Sequence, residues 1–174
     1  MTGPIKKILY ATDLSPNSTH ALVYALSMAN NYDAEIVTVH IVEGLSVNTP
    51  ILIEGYISQE NFDHFVSDRK KDALERMKKR TDKICEKLFP DDMKCKKRVS
   101  AFKVEVGFPA EVILRMADEE GCDTIVMGTH GKGFITQTFL GSMAKRVLRR
   151  TRKPVFIIPL PEGETELTIK DDAV

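Results

Sequence analysis

The sequence lacks long apolar segments, a leader-like N-terminus and a net charge. No stretch approaches the ~20 consecutive apolar residues of a membrane-spanning helix, and the first residues do not show the pattern of a signal peptide. Lysine and arginine total 25, as do aspartate and glutamate, so no overall field attracts the chain to nucleic acid or membrane. We therefore expect a cytoplasmic protein that binds neither DNA nor a membrane.

Cysteine is also scarce. The three cysteines, Cys85, Cys95 and Cys122, are odd in number and do not have the spacing of metal ligands. This usage suits a reducing compartment. We expect each cysteine to contribute to packing rather than to chemistry.

The length and composition are those of one globular domain. A chain of 174 residues, 43% apolar and 29% charged, can bury a core without disulfides or metals. We expect a single domain over residues 1–160, followed by an acidic, disordered tail over residues 161–174. Residues 44–58 mix turn-forming and large apolar residues. They form either a surface connection that packs its own apolar side chains or a flap over a ligand or partner.

Strand-like apolar runs alternate with segments of helical periodicity. Ser15-Pro16 predicts a helix start, with a hydroxyl N-cap and proline at the first helical position, and Gly121 predicts a helix end. Strand, helix and strand in this order predict right-handed parallel βαβ units. The predicted strands are residues 5–10, 36–42, 101–106, 124–127 and 155–158, and the predicted helices begin near residues 16, 60, 109 and 142.

The second predicted helix, residues 60–88, is long and highly charged. A narrow buried stripe is predicted from Leu74, Met77, Ile84 and Leu88, and the pattern allows a break near Ser67. We interpret the remaining charged residues of this helix as a solvated face. The short basic patch over residues 94–98 lacks the interleaved aromatics of a nucleic-acid site.

A glycine-rich loop follows the fourth predicted strand. Its first glycines lie within residues 128–133, and Gly141-Ser142 opens the last predicted helix. Glycines permit close approach of a ligand to the backbone, and the free amides of a helix start favour an anion such as phosphate. The alternative is a tight turn and a helix cap. The loop lacks the lysine of a P-loop, and its glycine spacing does not match the dinucleotide fingerprint.

Four segments together form a specific pattern that covers most of the chain. The segments are the motif Gly128-x2-Gly131-x9-Gly141-Ser142, residues 8–13 followed by Ser15, Val39-His40-Ile41, and residues 153–158. With them the sequence resembles the universal stress protein family, over roughly residues 4–160, and the spaced glycines are the specific part.

The resemblance implies an α/β fold of the Rossmann-like, adenine nucleotide alpha hydrolase-like type. This fold is an open, twisted, five-stranded parallel sheet of order 3-2-1-4-5 with helices on both faces. Its ligand crevice lies between strands one and four, where the strand order reverses. The last strand, Val155–Ile158, is then an apolar edge that invites pairing with another chain. We expect a two-fold homodimer through this strand, which the resemblance also implies.

The resemblance further implies that the crevice binds ATP, or AMP or ADP. Amides of Gly131, Gly141, Ser142 and Met143 and the Ser142 hydroxyl would hold the phosphates. Ser142 is alternatively a plain helix N-cap, and His130, which could approach phosphate, is alternatively an exposed loop residue. A triphosphate usually brings Mg²⁺, but the sequence shows no dedicated carboxylate cage for it.

The ends of the first, second and fourth strands would hold the nucleoside. Gly128 would lie against the ribose, and Ile41 would offer backbone groups to adenine. Asp13 would accept from a ribose hydroxyl or contact the base, although a lone aspartate here could also be a turn residue. The complete set of predicted site residues is Ala11, Thr12, Asp13, Ile41, Met127, Gly128, His130, Gly131, Gly141, Ser142 and Met143.

No pattern of catalytic residues stands out. The sequence has no HExxH motif and no evident Ser-His-Asp order, so we predict no catalytic residues. The resemblance implies an adenine-nucleotide-binding regulatory protein of the stress response. One alternative is a slow ATPase or nucleotidyl transferase that uses the same crevice. Another is a protein-interaction dimer without nucleotide, acting on an unknown protein partner.

Overall fold

Strands and helices alternate throughout the structure, which is a computed structural model that describes residues 4–43, 59–129 and 140–159. The predictions for residues 44–58 and 161–174 concern segments outside these ranges. The predicted site residues His130 and Gly131 also lie outside them. The elements are β1 (Lys7–Thr12), α1 (Pro16–Tyr32), β2 (Glu35–Val42), α2 (Gln59–Leu88), α3 (Cys95–Arg98), β3 (Val99–Val106), α4 (Pro109–Glu119), β4 (Thr124–Gly128), α5 (Ser142–Arg150) and β5 (Val155–Ile158).

All five strands form one parallel sheet in the order β3-β2-β1-β4-β5. The predicted fold class and strand order are therefore confirmed. Leu9 in β1 lies opposite Val37 of β2 on one side and opposite Ile125 of β4 on the other. The chain runs outward from β1 to β2 and β3, and from β4 to β5. The order therefore reverses between β1 and β4, where the connections diverge and leave a crevice at the carboxyl ends of the strands.

Alternate side chains of the central strand serve two separate cores. Ile8 and Tyr10 pack with α1 and the C-terminal half of α2, whereas Leu9 and Ala11 pack with α4 and α5. A strand directs successive side chains to opposite faces. The sheet is therefore covered on both faces, as its nearly continuous apolar strands predict.

The predicted ends of α1 and α4 are confirmed in atomic detail. Ser15 is the N-cap of α1 and accepts from the Ser18 amide at 3.3 Å, with proline at the first helical position. Gly121, at φ +64°, follows the last turn of α4. Its amide donates to Asp118 and the Cys122 amide donates to Ala117, which is the Schellman arrangement that satisfies the final carbonyls of a helix.

Helix α2 is continuous over 30 residues, so the predicted break near Ser67 is wrong. Met77 and Ile84 of the predicted stripe are buried, and Leu74 is partly buried. Arg80 and Thr81 are buried as well. A single serine lowers helix propensity by less than about 1 kcal/mol, which is too little to interrupt a long helix.

The expectation for two of the cysteines is wrong. Cys85, near the end of α2, and Cys95, which begins α3, form a disulfide that is buried against α1. Their ten-residue separation matches no common cysteine motif, and only the chain reversal between the helices brings them together. Cys122 is free and buried, and burial raises its pKa to about 11. The cysteine content therefore gives no support for a reducing compartment.

The basic patch of residues 94–98 is largely occupied by local ion pairs. Arg98 contacts Asp33 and Asp92, and Lys96 contacts Asp82 and Glu86. Separately, none of the helices in the described ranges combines the length and apolar content that a membrane span requires.

Candidate functional site

A cavity of about 580 Å³ opens at the carboxyl ends of β1, β2 and β4. This volume is typical of a small-molecule site. The N-terminal ends of α1, α4 and α5 and the middle of α2 complete its walls. The crevice brings together the predicted site residues that the structure describes, namely Ala11, Thr12, Asp13, Ile41, Met127, Gly128, Gly141, Ser142 and Met143.

Asp13 lies in the turn between β1 and α1 and lines the crevice. Its Oδ1 atom accepts from the Ser15 amide at 3.0 Å and from the Ser15 hydroxyl at 2.6 Å. Its Oδ2 atom is buried and has no hydrogen-bond partner within the described residues. The turn role of Asp13 is therefore observed at Oδ1, whereas its role toward a ligand stays a prediction.

The turn that presents Asp13 is held in an unusual conformation. Leu14, the next residue, has φ of +63°, which is rare and costly for a bulky side chain. Its amide donates to the Thr12 hydroxyl at 3.1 Å, and its side chain packs on Ala73 and Met77 of α2. Local hydrogen bonds and packing thus fix the position of the carboxylate.

Thr12 acts through its neighbours. Its hydroxyl donates to Ser18 Oγ at 2.8 Å, and its carbonyl lies 2.8 Å from His40 Nδ1. Because a carbonyl only accepts, this ring nitrogen carries a proton. The polar groups of Thr12 therefore tie β1 to α1 and to β2, and they position Asp13.

Glycine 141 closes the base of the loop that follows β4. Its amide donates to the Thr129 carbonyl at 2.8 Å, and the Thr129 amide donates to Ile158 at 3.1 Å. The Gly141 amide thus has an acceptor within the protein, and its contact with phosphate stays a prediction. Gly141 has φ of −64°, open to any residue. A turn conformation thus does not explain the glycine, whereas the lack of a side chain beside the crevice does.

Helix α5 directs its N-terminus into the crevice. Gly141 is its N-cap, so the alternative in which Ser142 is the N-cap is wrong. The backbone bond from Lys145 to Gly141 (3.1 Å) begins the helical pattern. Ser142 and Met143 lie in the first turn, where a helix supplies no acceptor for its amides and carries its positive dipole end. Arg149 and Arg150 occupy the last turn, where cations complement the dipole.

Helix α2 supplies a further wall of the crevice, which was not predicted. Arg69, Asp72 and Arg76 line the crevice and remain at least partly exposed, so part of the predicted solvated face is also this wall. Arg76 pairs with Asp72 at 3.7 Å, and the Arg69 guanidinium lies 4.8 Å from the centre of the Phe65 ring. The three charged residues lie next to the buried Ala73 at helical spacing. Their position beside a buried residue is the sequence signal that could have predicted them as part of the crevice.

The end of β2 forms the remaining polar edge. Ile41 is buried beside His40, and Glu43 adds a carboxylate to the lining. Glu43 was not predicted. Among the described lining residues the full charges are three carboxylates, Asp13, Glu43 and Asp72, and two guanidinium groups, Arg69 and Arg76.

Comparison with known sequences gives a consistent result. The model of the universal stress protein family matches residues 4–159. Universal stress protein MJ0531 of Methanocaldococcus jannaschii is 30% identical over 159 residues, which are 91% of this chain and 85% of that protein. MJ0577 of the same organism is 27% identical over 162 residues, covering 91% and 97% of the two chains.

Solved structures share the fold. The structure of MJ0577 has a TM-score of 0.63 at 24% identity, with 92% of this chain and all of that chain covered. UspA from Lactobacillus plantarum has a TM-score of 0.60 at 21% identity, covering 90% and 99%. A universal stress protein solved in complex with cAMP has a TM-score of 0.54 at 21% identity, covering 90% and 98%. With its spaced glycines, its five-stranded sheet and a family match over nearly the whole described chain, this protein belongs to the universal stress protein family.

Proposed function

We propose that this protein binds an adenine nucleotide, ATP or its mono- or diphosphate, in the crevice between β1 and β4 and acts as a regulatory protein of the stress response. The observation that carries the proposal is the Asp13 Oδ2 atom, a buried acceptor without a partner in the described part of the chain. Leaving such a group unpaired costs about 1–3 kcal/mol. A hydroxyl of ribose, or an amine of the base, would supply the missing donor.

The other end of the crevice fits a phosphate. Ser142 and Met143 bring first-turn amides, Ser142 adds a hydroxyl, and Gly141 leaves space for close approach. We propose that Gly131 and His130, which lie outside the described residues, complete this end. Mg²⁺ would then be held through the phosphates, because the described residues contain no group of three side chains suited to a metal ion.

The nucleoside would lie between these two ends. Gly128 would face the ribose, with Met127 beneath it, and the backbone of Ile41 would meet the edge of adenine. The proximity of these residues in one cavity supports this arrangement. The cAMP complex of a structurally similar universal stress protein supports an adenine nucleotide as the ligand class.

We also propose that the protein acts as a homodimer through β5. This strand is an edge of the sheet, and its Phe156 side chain is exposed although the strand is entirely apolar. An exposed apolar edge favours pairing with a second strand. A second copy of the chain offers an identical edge.

Titration calorimetry with ATP, AMP and cAMP tests the nucleotide proposal. We expect one nucleotide to bind per chain with release of heat. The Asp13→Asn variant should release less heat on binding. Absence of binding by all three up to millimolar concentration would contradict the proposal. Stoichiometric recovery of unhydrolysed ATP after incubation would distinguish a binding protein from an ATPase.

A further inference from the structure

Helix α2 lines one side of the crevice with charged side chains. Arg69, Asp72 and Arg76 recur at helical spacing and therefore share one face. Seven residues separate the two arginines, about 10 Å along the helix axis. Ala73, on the adjoining stripe, packs against Leu14, which follows Asp13. The charged face of α2 thus lies next to the turn that carries Asp13.

The two sides of the crevice offer different chemistry. Helix α5 packs on the sheet face of Leu9 and Ala11, whereas α2 packs on Leu14, Phe102 and Val104. From α5 the ligand meets backbone amides, which donate hydrogen bonds but bring no full charge. From α2 it meets two guanidinium groups.

The net charge of the crevice lining makes the two guanidinium groups important for an anionic ligand. Among the described lining residues, three carboxylates oppose two guanidinium groups, a net charge of −1. A nucleotide with several phosphates is strongly anionic and would be repelled by Asp13, Glu43 and Asp72. Guanidinium is the side chain best suited to bind phosphate oxygens, through paired charge-assisted hydrogen bonds. Arg69 and Arg76 are therefore the described groups able to offset that repulsion.

We propose that Arg69 and Arg76 of α2 bind the phosphate chain of the nucleotide and make the crevice select ligands by phosphate number, with Asp72 reducing that preference. This inference rests on the proposed nucleotide function and adds a selectivity element on a helix that the glycine motif does not include. Asp72 pairs with Arg76 at 3.7 Å and partly neutralises it. Phe65 holds the Arg69 guanidinium over its ring face.

The competing explanation is purely structural. An i,i+4 pair such as Asp72–Arg76 stabilises an exposed helix by about 0.3–0.5 kcal/mol whether or not a ligand is present. In that case, substitutions on this face would change helix stability slightly and nucleotide affinity not at all. Ligands that differ only in phosphate number distinguish the two explanations.

The test measures the affinities of adenosine, AMP, ADP and ATP by calorimetry at one fixed salt concentration. The variants are Arg69→Gln, Arg76→Gln and Asp72→Asn. Lys79→Gln is the matched control, because Lys79 is an exposed cation of the same helix outside the crevice lining. Circular dichroism and thermal unfolding establish that each variant is folded.

Each arginine substitution should weaken ATP binding about five- to tenfold, because a charge-assisted hydrogen bond is lost at a partly exposed site. The loss of affinity should become smaller from ATP to AMP, and the affinity for adenosine should be unchanged. Asp72→Asn should instead tighten ATP binding about threefold, because a repulsive carboxylate is removed. Lys79→Gln should leave all four affinities within about twofold of wild type, as expected for an exposed charge that contacts no ligand.

Three results would overturn the inference while leaving the proposed function intact. The first is that the arginine substitutions weaken the binding of ATP and adenosine equally. The second is that both arginine variants keep the wild-type affinity for ATP. The third is that the wild-type protein binds adenosine as tightly as ATP. A wild-type protein that binds none of the four ligands would instead overturn the proposed function itself. Opposite effects of Arg76→Gln and Asp72→Asn on ATP affinity would be the strongest support, because damage to the fold would lower the ATP affinity of both variants.

Discussion

Asp13 and Ser15 are joined by two hydrogen bonds that use a single carboxylate oxygen. The amide and the hydroxyl of Ser15 both donate to Oδ1, at 3.0 and 2.6 Å, while Oδ2 is buried without a partner in the described chain. One oxygen of the carboxylate thus shapes the start of α1, and the other is the acceptor that we propose for the nucleotide.

We expect Asp13→Asn to lower nucleotide affinity about tenfold, since a charge-assisted bond is lost. The unfolding free energy of the ligand-free variant should be unchanged or up to about 1 kcal/mol higher, because a neutral amide costs less to bury than a carboxylate. Calorimetry and urea unfolding measure the two effects. Asp123→Asn is the control, because Asp123 also accepts backbone amides but does not line the crevice. A loss of affinity in that variant too would contradict the assignment.

Two glycines should respond to substitution in opposite ways. Gly141→Ala should fold normally, because φ of −64° suits any residue, but its new side chain, and more so that of Gly141→Val, should block nucleotide binding. Gly121→Ala should bind normally but lose about 1–2 kcal/mol of stability, because φ of +64° is costly for a side chain. Affinity and thermal unfolding of both variants check this contrast. Normal binding by Gly141→Val would exclude a ligand at this end of the crevice.

The Cys85–Cys95 disulfide should stabilise the fold measurably. Its closure of a short loop predicts that Cys85→Ala/Cys95→Ala lowers the unfolding free energy by about 2–3 kcal/mol. Urea unfolding of the double variant, and of wild type with reductant, should give similar midpoints. Cys122→Ala, which removes the free thiol, is the control. Detection of three free thiols in denatured, unreduced protein would contradict the bond.

Mild acid should destabilise the protein through His20. Burial lowers the pKa of His20, so below about pH 6.5 the unfolded chain takes up a proton that the folded chain does not. Stability therefore falls as pH decreases from neutral. His20→Gln should flatten the dependence of the urea midpoint between pH 7.5 and 5.5, and His64→Gln, on an exposed position of α2, should not. Parallel curves for wild type and His20→Gln would exclude this role.

Phe156→Glu should convert the proposed dimer into a monomer. A buried charge on an edge strand opposes strand pairing, and Phe156 is the exposed aromatic of β5. Sedimentation should show the mass of one chain for this variant. Tyr32→Glu changes another exposed aromatic, at the far end of α1, and should retain the wild-type mass. A monomeric wild type would contradict the proposal.

The sequence predicted best those features that local rules determine. The bounds of β5 match, and Ser15, Pro16 and Gly121 mark the helix ends as predicted. These positions are read from propensity and capping, which depend on neighbouring residues. The strand order came from the family resemblance, and the structure confirms it.

Features that depend on tertiary contacts were missed. The position of Arg69 and Arg76 in the crevice lining was not predicted, because periodicity separates buried from exposed residues but does not show that an exposed face lines a crevice. The Cys85–Cys95 disulfide and the hydrogen bond from Gly141 to Thr129 were not predicted for a similar reason. Each joins residues whose separation has no local signature.

The length of α2 has a consequence for the depth of the crevice. Thirty residues of helix extend about 45 Å, whereas the eight residues of β2 extend only about 26 Å. Residues 60–72 of the helix are exposed or half-buried, whereas Ala73 is buried, so Arg69 lies on the part of the helix that precedes the core. The length of this one element thus adds a charged wall to the crevice, which would shield part of a bound molecule from water.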